Sequence, residues 1–368
     1  DTTNQSVIDE GLSYVHNDIC YPAMLVIGQM LDALKSGRYD PDKTALLLTQ
    51  TGGGCRASNY IHLLRKALEN AGYPQVPVLS LNLSGMEKGG AFRFTKKMLF
   101  QGLYVVLYGD LLMWISNQCR PYEVTPGATK AVTDRWIERL KAQLHTGGYL
   151  HLQKNYRKIL EDYAAIPRTP ANRVRVGIVG EIYIKYSPLG NNCLEETLLR
   201  EGAEPVVSGL MDFLLYCFSH QNTDQTLYGG KNPIALAAVN QAISFLVRKQ
   251  NQMINCVKTH GVFRAPTPFE ELYHMVDGTI SHGAKMGEGW LLTAEMLEYI
   301  RSGVSNVVCT QPFGCLPNHI VAKGMIRKIK DEYPQANIVA LDYDPSATRV
   351  NQENRLRLML ANAKANQK

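Results

Sequence analysis

The chain repeats itself, and the repeat limits what it can fold into. At an offset of 260 residues, Gly54-Cys55 falls on Gly314-Cys315 and "YPQ" at Tyr73–Gln75 falls on "YPQ" at Tyr333–Gln335. At the same offset the strand-like "VLSLN" ending at Asn82 falls on "IVALD" ending at Asp342. At an offset of 266, "QMLDALKSG" (Gln29–Gly37) lies on "EMLEYIRSG" (Glu295–Gly303). The difference is absorbed in the turn after each helix and in the loop before each cysteine. Each copy therefore reads helix, Ser-Gly stop, apolar strand, Gly-Cys corner, helix, Tyr-Pro-Gln turn, strand. Two unrelated helix-strand units share periodicity, but not these three signatures in order.

The periodicity predicts, in the first copy, helix 22–35, strand 44–49, the Cys55 corner, helix 57–71 and strand 77–82. In the second it predicts helix 289–301, strand 305–309, the Cys315 corner, helix 319–332 and strand 337–342. Apolar residues at three and four spacing mark the helices, as in "IHLLRKALENAG". Glycines after them are C-terminal stops. The strands are short and rich in Val, Ile and Leu, as in a parallel sheet buried on both faces. The expected fold class is α/β: two duplicated three-layer αβα domains with parallel sheets, a helical insertion, and a metal cleft between them.

The copies are unequal upstream. "RVRVGIVGEIYI", "CLEETLLREGA" and "EPVVSG" give the second domain a full opening β-α-β. The residues before Cys20 suffice for one strand, so the opening β-α-β of the first unit is expected to be missing, with residue 1 internal to a longer protein. The expected boundaries are a first α/β domain over 1–84, a helical insertion or layer over 85–170, and a second α/β domain over 171–368. A further helical insert is expected over about 209–258.

With 368 residues, 45% hydrophobic and 20% charged, the chain can bury a large core, which excludes disorder and coiled coil. The longest apolar run, "GLYVVLYGDLLMWI", is interrupted by Gly109 and Asp110, so no membrane span is expected. The net charge of +6 is scattered apart from "RFTKK" and "RKIK", which argues against nucleic acid. A mild positive field suits an anionic cofactor or an acidic partner. No basic-then-apolar leader is seen in the first residues and the eight cysteines are sparse for the length, so a reducing, cytoplasmic setting is expected.

In a parallel sheet, ligands collect at the carboxyl ends of strands, where the reading puts Cys55 and Cys315. Each precedes a helix, whose N-terminal partial charge favours a thiolate. The glycines at 52–54 and at 314 let the backbone turn tightly beside a bulky inorganic group. Cys20, in "NDICYPAMLVIGQM", also precedes a helix, with Pro22 in its first turn. At the 266 offset Cys20 matches Met286 in "AKMGEGWLL". Three corner thiols from two domains suit an iron–sulfur cluster, either 4Fe-4S or a double cubane. The fourth position is open to a substrate or water, or is filled by Cys309 at the end of its strand. Zinc is the rival metal, but no C-x-x-C pair is present. Buried small hydrophobes are the bland alternative, assigned here to Cys193, Cys217 and Cys256, with Cys119 undecided. Lys185, Tyr186 and Ser187 are candidates to meet an anion. His282 and Lys285 are candidates to line the cleft, and His319 to orient a ligand. No Ser/His/Asp set or phosphate-binding loop is present.

"NDICYPA", "GGGCRASNY", "RPYE", "GEGWLLTAEM" and above all "QPFGCLPNHIVAKG" resemble the C-terminal dehydratase-like region of acyl-CoA dehydratase activase-related proteins. The resemblance covers nearly the whole chain. More distantly, the closing "ALDYDPSATRVNQENRLRLML" is similar to the end of 2-hydroxyacyl-CoA dehydratase subunits and double-cubane cluster proteins. The resemblance implies duplicated α/β domains around an oxygen-sensitive cluster, with Cys20, Cys55 and Cys315 as ligands and Cys309 as the fourth. It implies an ATP-hydrolysing activase partner that delivers a low-potential electron, and an acyl-CoA or other small-molecule substrate. The activase modules are absent from these residues and no thioester-binding motif is identifiable, so a reductase or relay stands beside a dehydratase. A homodimer is compatible with either. The alternative from another class is a two-domain binding protein that closes on a small anion, without a metal cluster.

Overall fold

The computed structural model describes residues 5–50, 54–82 and 95–366. Gly52 and Gly53, and the first part of the 85–170 stretch up to residue 94, lie outside the described residues. The fold is mixed α/β, mostly helical, with short parallel sheets.

One sheet pairs β1 (Leu46–Gln50) with β2 (Val78–Asn82), in parallel. The other contains β3 (Arg175–Gly180), β4 (Glu204–Val207), β5 (Asn306–Pro312) and β6 (Asn337–Tyr343). Its order is β4-β3-β5-β6, all parallel. The chain runs outward from β3 to β4 on one side, then returns to β5 and β6 on the other. The order therefore reverses between β3 and β5, the position in such sheets where ligands commonly bind.

Side chains alternate across the four-stranded sheet with period two. Val176, Ile178, Val308 and Leu341 enter one core, while Val179, Val307, Cys309 and Ala340 enter the other. The second core continues into helices Lys96–Cys119, Leu152–Ala164, Leu210–Tyr228 and Pro233–His260. The two helical stretches expected separately in sequence thus merge into one packed mass. Helix Lys96–Cys119 is long and apolar enough, by length and composition, to cross a membrane. In this fold it buries Leu107, Leu111 and Ile115 and packs against β4 and four neighbouring helices, leaving Met98, Leu99 and Phe100 exposed.

The smaller sheet differs from expectation. In β1, Leu48 is buried while Leu47 is 44% exposed, so among the described residues only one face is covered. Ile27, Leu31 and Leu34 cover it together with Ile61, Leu64 and Leu68. The residues before Cys20 form a helix, Gln5–Tyr14, not a strand. That helix crosses helix Tyr21–Lys35 so closely that a side chain on Gly28 would overlap the Val7 carbonyl.

Helix Tyr21–Lys35 joins the two sheets. Its first half, Tyr21 to Leu25, packs with the strands of the larger sheet, and its second half packs on the smaller one. The helix expected over 319–332 instead starts at Leu316 and is broken into Leu316–Val321, a 3-10 turn Lys323–Met325, and Ile326–Glu332. Pro317 favours the earlier start. Gly324 in the interior accounts for the break.

Candidate functional site

Cys20, Cys55 and Cys315 each occupy the N-cap of a helical turn: Tyr21–Lys35, the 3-10 turn Arg56–Ser58, and Leu316–Val321. An N-cap residue is extended, so its side chain swings back over the first-turn N–H groups. Cys20 and Cys315 are buried and Cys55 is half-buried.

The corners meet across the sheets. Gly314 adopts φ +69°, and a side chain there would lie 3.0 Å from the Cα of Cys20. The Tyr21 N–H donates to the Phe313 carbonyl at 2.9 Å, tying helix Tyr21–Lys35 to the end of β5. On the other side, the Gly54 N–H donates to Sδ of Met286 at 3.1 Å. A side chain on Gly287, at φ +59°, would lie 3.8 Å from Sγ of Cys55 and 3.0 Å from Pro317. The Met286–Gly287 segment thus lies against both cysteine corners. Sγ of Cys20 stands 3.0 Å from the Tyr60 hydroxyl.

Two buried acids lie near these corners, and the sequence reading passed over both. Glu181 follows the last residue of β3 and caps helix Ile182–Tyr186, its Oε2 accepting from the Ile184 N–H at 2.9 Å. Glu288 is 7% exposed, and its Oε1 accepts from the Ile182 N–H at 3.1 Å. Burial raises both carboxyls above the usual range, and Glu288 adds to the rise at Glu181. Burial also pushes the three thiols up, Cys55 to about 11. Glu288 and Glu181 raise Cys55 and Cys315 further, while the N–H groups of Ala23, Ala57 and Asn318 act the other way on their own turns. Burial and mutual repulsion thus favour the neutral, protonated forms of these groups. The sequence signal for Glu181 is "GIVGE", an acid at the carboxyl end of a buried strand.

The structure sets Cys309 apart. Its side chain points from β5 into the helical-side core, with Sγ 3.5 Å from Oδ1 of Asn318. Burial raises it to about 12, and the charged groups that act on it are Lys323 and Asp342. Strand alternation explains this: Cys309 is an interior strand residue, whereas Cys315 lies beyond the strand end. Cys217, read as packing, stands nearer the site, since burial and then Glu288 raise it to about 12. Cys119 is buried in the core, and Cys193 and Cys256 are half-buried.

The weaker candidates serve internal roles. Lys185 is buried and bonds Glu295 at 2.9 Å and Ser208 at 3.0 Å. Tyr186 donates to the Ser208 carbonyl, and Ser187 accepts from the Gly190 N–H. Lys185 is therefore committed, not poised for an external anion. His282 stacks on Tyr273 at 3.9 Å, and Lys285 pairs with Asp224. His319 faces the Cys315 carbonyl at 2.8 Å and the Gln311 amide at 2.6 Å, which makes it a brace for the corner. A cavity of about 300 Å³ lined by Thr223, Tyr273 and His282 has none of the three cysteines in its wall.

Among the described residues, no three His, Cys, Asp or Glu side chains close on a single ion. A cubane spaces its ligands more widely than one ion does. Cys20, Cys55 and Cys315, three N-cap thiols on tight glycine corners, are the residues that could hold such a cluster, with one donor short. A scan against protein-family models finds none that matches the chain, and a search of curated proteins finds no match either.

Proposed function

We propose that this protein is a cytoplasmic iron–sulfur module for ATP-coupled low-potential electron transfer. Cys20, Cys55 and Cys315 would hold a 4Fe-4S or double-cubane cluster in the crevice at the β3/β5 switch point. The observation that carries the reading is the meeting of three N-cap thiols, from corners far apart in sequence, beside Glu181 and Glu288. The reciprocal contacts, Cys20 on Gly314 and Met286 on Gly54, support an ancestral duplication with a shared cleft.

A bound cluster would supply one-electron redox chemistry. The protein's part is to orient the thiols, exclude water and tune the sulfurs. The first-turn N–H groups of Ala23, Ala57 and Asn318 favour the thiolate at their own corners. Tyr60 is placed to donate to the Cys20 sulfur, an outer-shell contact of the kind that adjusts a centre. The resemblance to dehydratase-like regions supports an ATP-hydrolysing activase partner, and a 2-hydroxyacyl-CoA or related substrate as the electron's destination.

The small-anion reading is weaker. The crevice carries two acids, and Lys185 is already paired with Glu295. Anaerobic reconstitution followed by an absorption spectrum and iron and sulfide analysis separates the two. A brown protein with stoichiometric sulfide is expected, and a colourless, iron-free protein would favour the anion binder.

A further inference from the structure

We propose that the amino end of the larger sheet carries a second ligand site, a cavity that binds a phosphate monoester with an apolar or aromatic body. The cavity measures about 490 Å³, and its wall includes Tyr122, Ile166, Arg168, Val262, Phe263 and Arg264. That volume suits a small organic ligand. Glu204, the first residue of β4, accepts from the Tyr122 hydroxyl at 2.7 Å and pairs with Arg264, which ties the cavity to the strand starts. Cys315 lies past the other end of the sheet, beyond β5. The proposal is therefore independent of the cluster reading, and either can fail alone.

The charge around this cavity is one-sided. Arg264 has the buried Glu204 as its partner. Among the described residues, Arg168, Arg173 and Arg175 form no ion pair with a carboxylate. Arg168 lies over the Phe263 ring, 5.0 Å from its centroid, and beside the Cys119 thiol. Glu123, its backbone bridge partner, spends its two carboxylate oxygens on the Gly127 and Thr129 N–H groups. Arg173 lies over the Tyr122 ring at 5.7 Å and donates to the Gly202 carbonyl at 3.2 Å, while its buried Nε has no hydrogen-bond partner. Arg175 is the register partner of Glu204 and donates to the Gly303 carbonyl at 3.2 Å. Burial, and then the like charge of Arg175, hold the Arg264 guanidinium below its ordinary range.

A guanidinium presents a planar fork that matches the oxygens of an anion. Several of them against one carboxylate favour a dianionic head group over a singly charged one. The amide in the wall does not compete for it. Oε1 of Gln118 accepts from the Arg264 N–H at 2.9 Å, and Nε2 donates to the Trp114 and Arg264 carbonyls, each at 3.2 Å. Ile166 and Phe263 are buried and give the cavity an apolar floor. The arginines thus select the head group, and the ring and aliphatic surfaces hold the body of the ester.

The test is calorimetric titration of the full chain with phenyl phosphate, inorganic phosphate and benzoate, on the parent and on its R168Q and R327Q variants. Arg168 is the residue to change because replacing Arg264 would strand the buried Glu204. Arg327, on helix Ile326–Glu332, has a side chain 93% exposed and serves as the control. Phenyl phosphate is expected to bind the parent about tenfold more tightly than inorganic phosphate or benzoate. Arg168→Gln is expected to weaken phenyl phosphate about tenfold, while R327Q matches the parent. Absence of phenyl phosphate binding overturns the proposal, as does equal affinity in the parent and R168Q or an equal loss in R327Q. Inorganic phosphate bound as tightly as the ester refutes the apolar floor, and benzoate bound as tightly refutes the phosphate head group. Should R168Q fail to fold, butanedione modification of the parent, read by mass spectrometry, decides. Protection of Arg168 and Arg264 by phenyl phosphate, with Arg327 unprotected, supports the site, and an unprotected Arg168 refutes it.

Discussion

The Cα of Cys20 lies 3.0 Å from the point where a side chain on Gly314 would begin. The helix start of the first repeat is thus pressed against the Gly-Cys corner of the second. The converse contact holds too, with Met286 of the second repeat against Gly54 of the first. The two contacts are reciprocal at the offsets of the sequence repeat. They bring Cys20 beside the Cys315 corner and the Met286–Gly287 segment beside Cys55.

Gly314→Ala tests that contact. At φ +69° an L side chain costs about 1–2 kcal/mol in backbone strain, and here it also meets the backbone of Cys20. The variant is expected to melt at a lower temperature and to retain less iron, although no ligand is removed. Parental melting and full iron content together would show that the corner is looser than described.

Serine substitutions should divide the cysteines. C20S, C55S and C315S are each expected to lose most of the iron after anaerobic reconstitution. C309S is expected to keep it and to lose about 1–2 kcal/mol of stability, because a hydroxyl replaces a packed thiol in the core. Iron analysis beside denaturant unfolding reads both effects.

Lys185→Met isolates the buried ion pair. Lys185 and Glu295 are 5% and 2% exposed at their side chains, and the Tyr299 hydroxyl braces neighbouring Ser208. Removing the lysine strands the carboxylate, which costs about 3–5 kcal/mol. The double variant K185M/E295L is expected to recover much of that loss in denaturant unfolding. A single variant as stable as the parent would contradict the pairing.

Asp212 sets a pH dependence. Burial pushes its carboxyl from 3.8 up to about 8, although Gln250 donates to it at 2.6 Å. Between those values the unfolded chain binds fewer protons than the folded one, so stability falls as pH rises. The contribution of protonated Asp212 is complete below its ordinary value and is lost as pH climbs through about 8. Asp212→Asn is expected to flatten the decline, measured as unfolding free energy against pH. An unchanged slope would place the titration elsewhere.

The repeat made much of the fold legible, because helix period, apolar strands and Gly-Cys corners are local signals. The β5 and β6 positions, both helical stretches and the three N-cap cysteines were readable in this way. The one-faced β1 was not, because the run Leu46-Leu47-Leu48 does not reveal that Leu47 meets solvent. Glu181 and Glu288 were missed because a lone acid in a loop becomes informative only when burial and a neighbouring acid raise its proton affinity. Cys309 was drawn toward the site by sequence distance. Strand alternation turned it into the core. Lys185 looked free to meet an anion until Glu295, far along the chain, closed on it.

The most direct test of the central claim is anomalous X-ray scattering at the iron edge, from crystals of the reconstituted protein grown without oxygen. The account places an iron peak bounded by Sγ of Cys20, Cys55 and Cys315 at the β3/β5 switch point. Iron located on other residues, or a crevice without an anomalous peak in protein that carries iron, would contradict it.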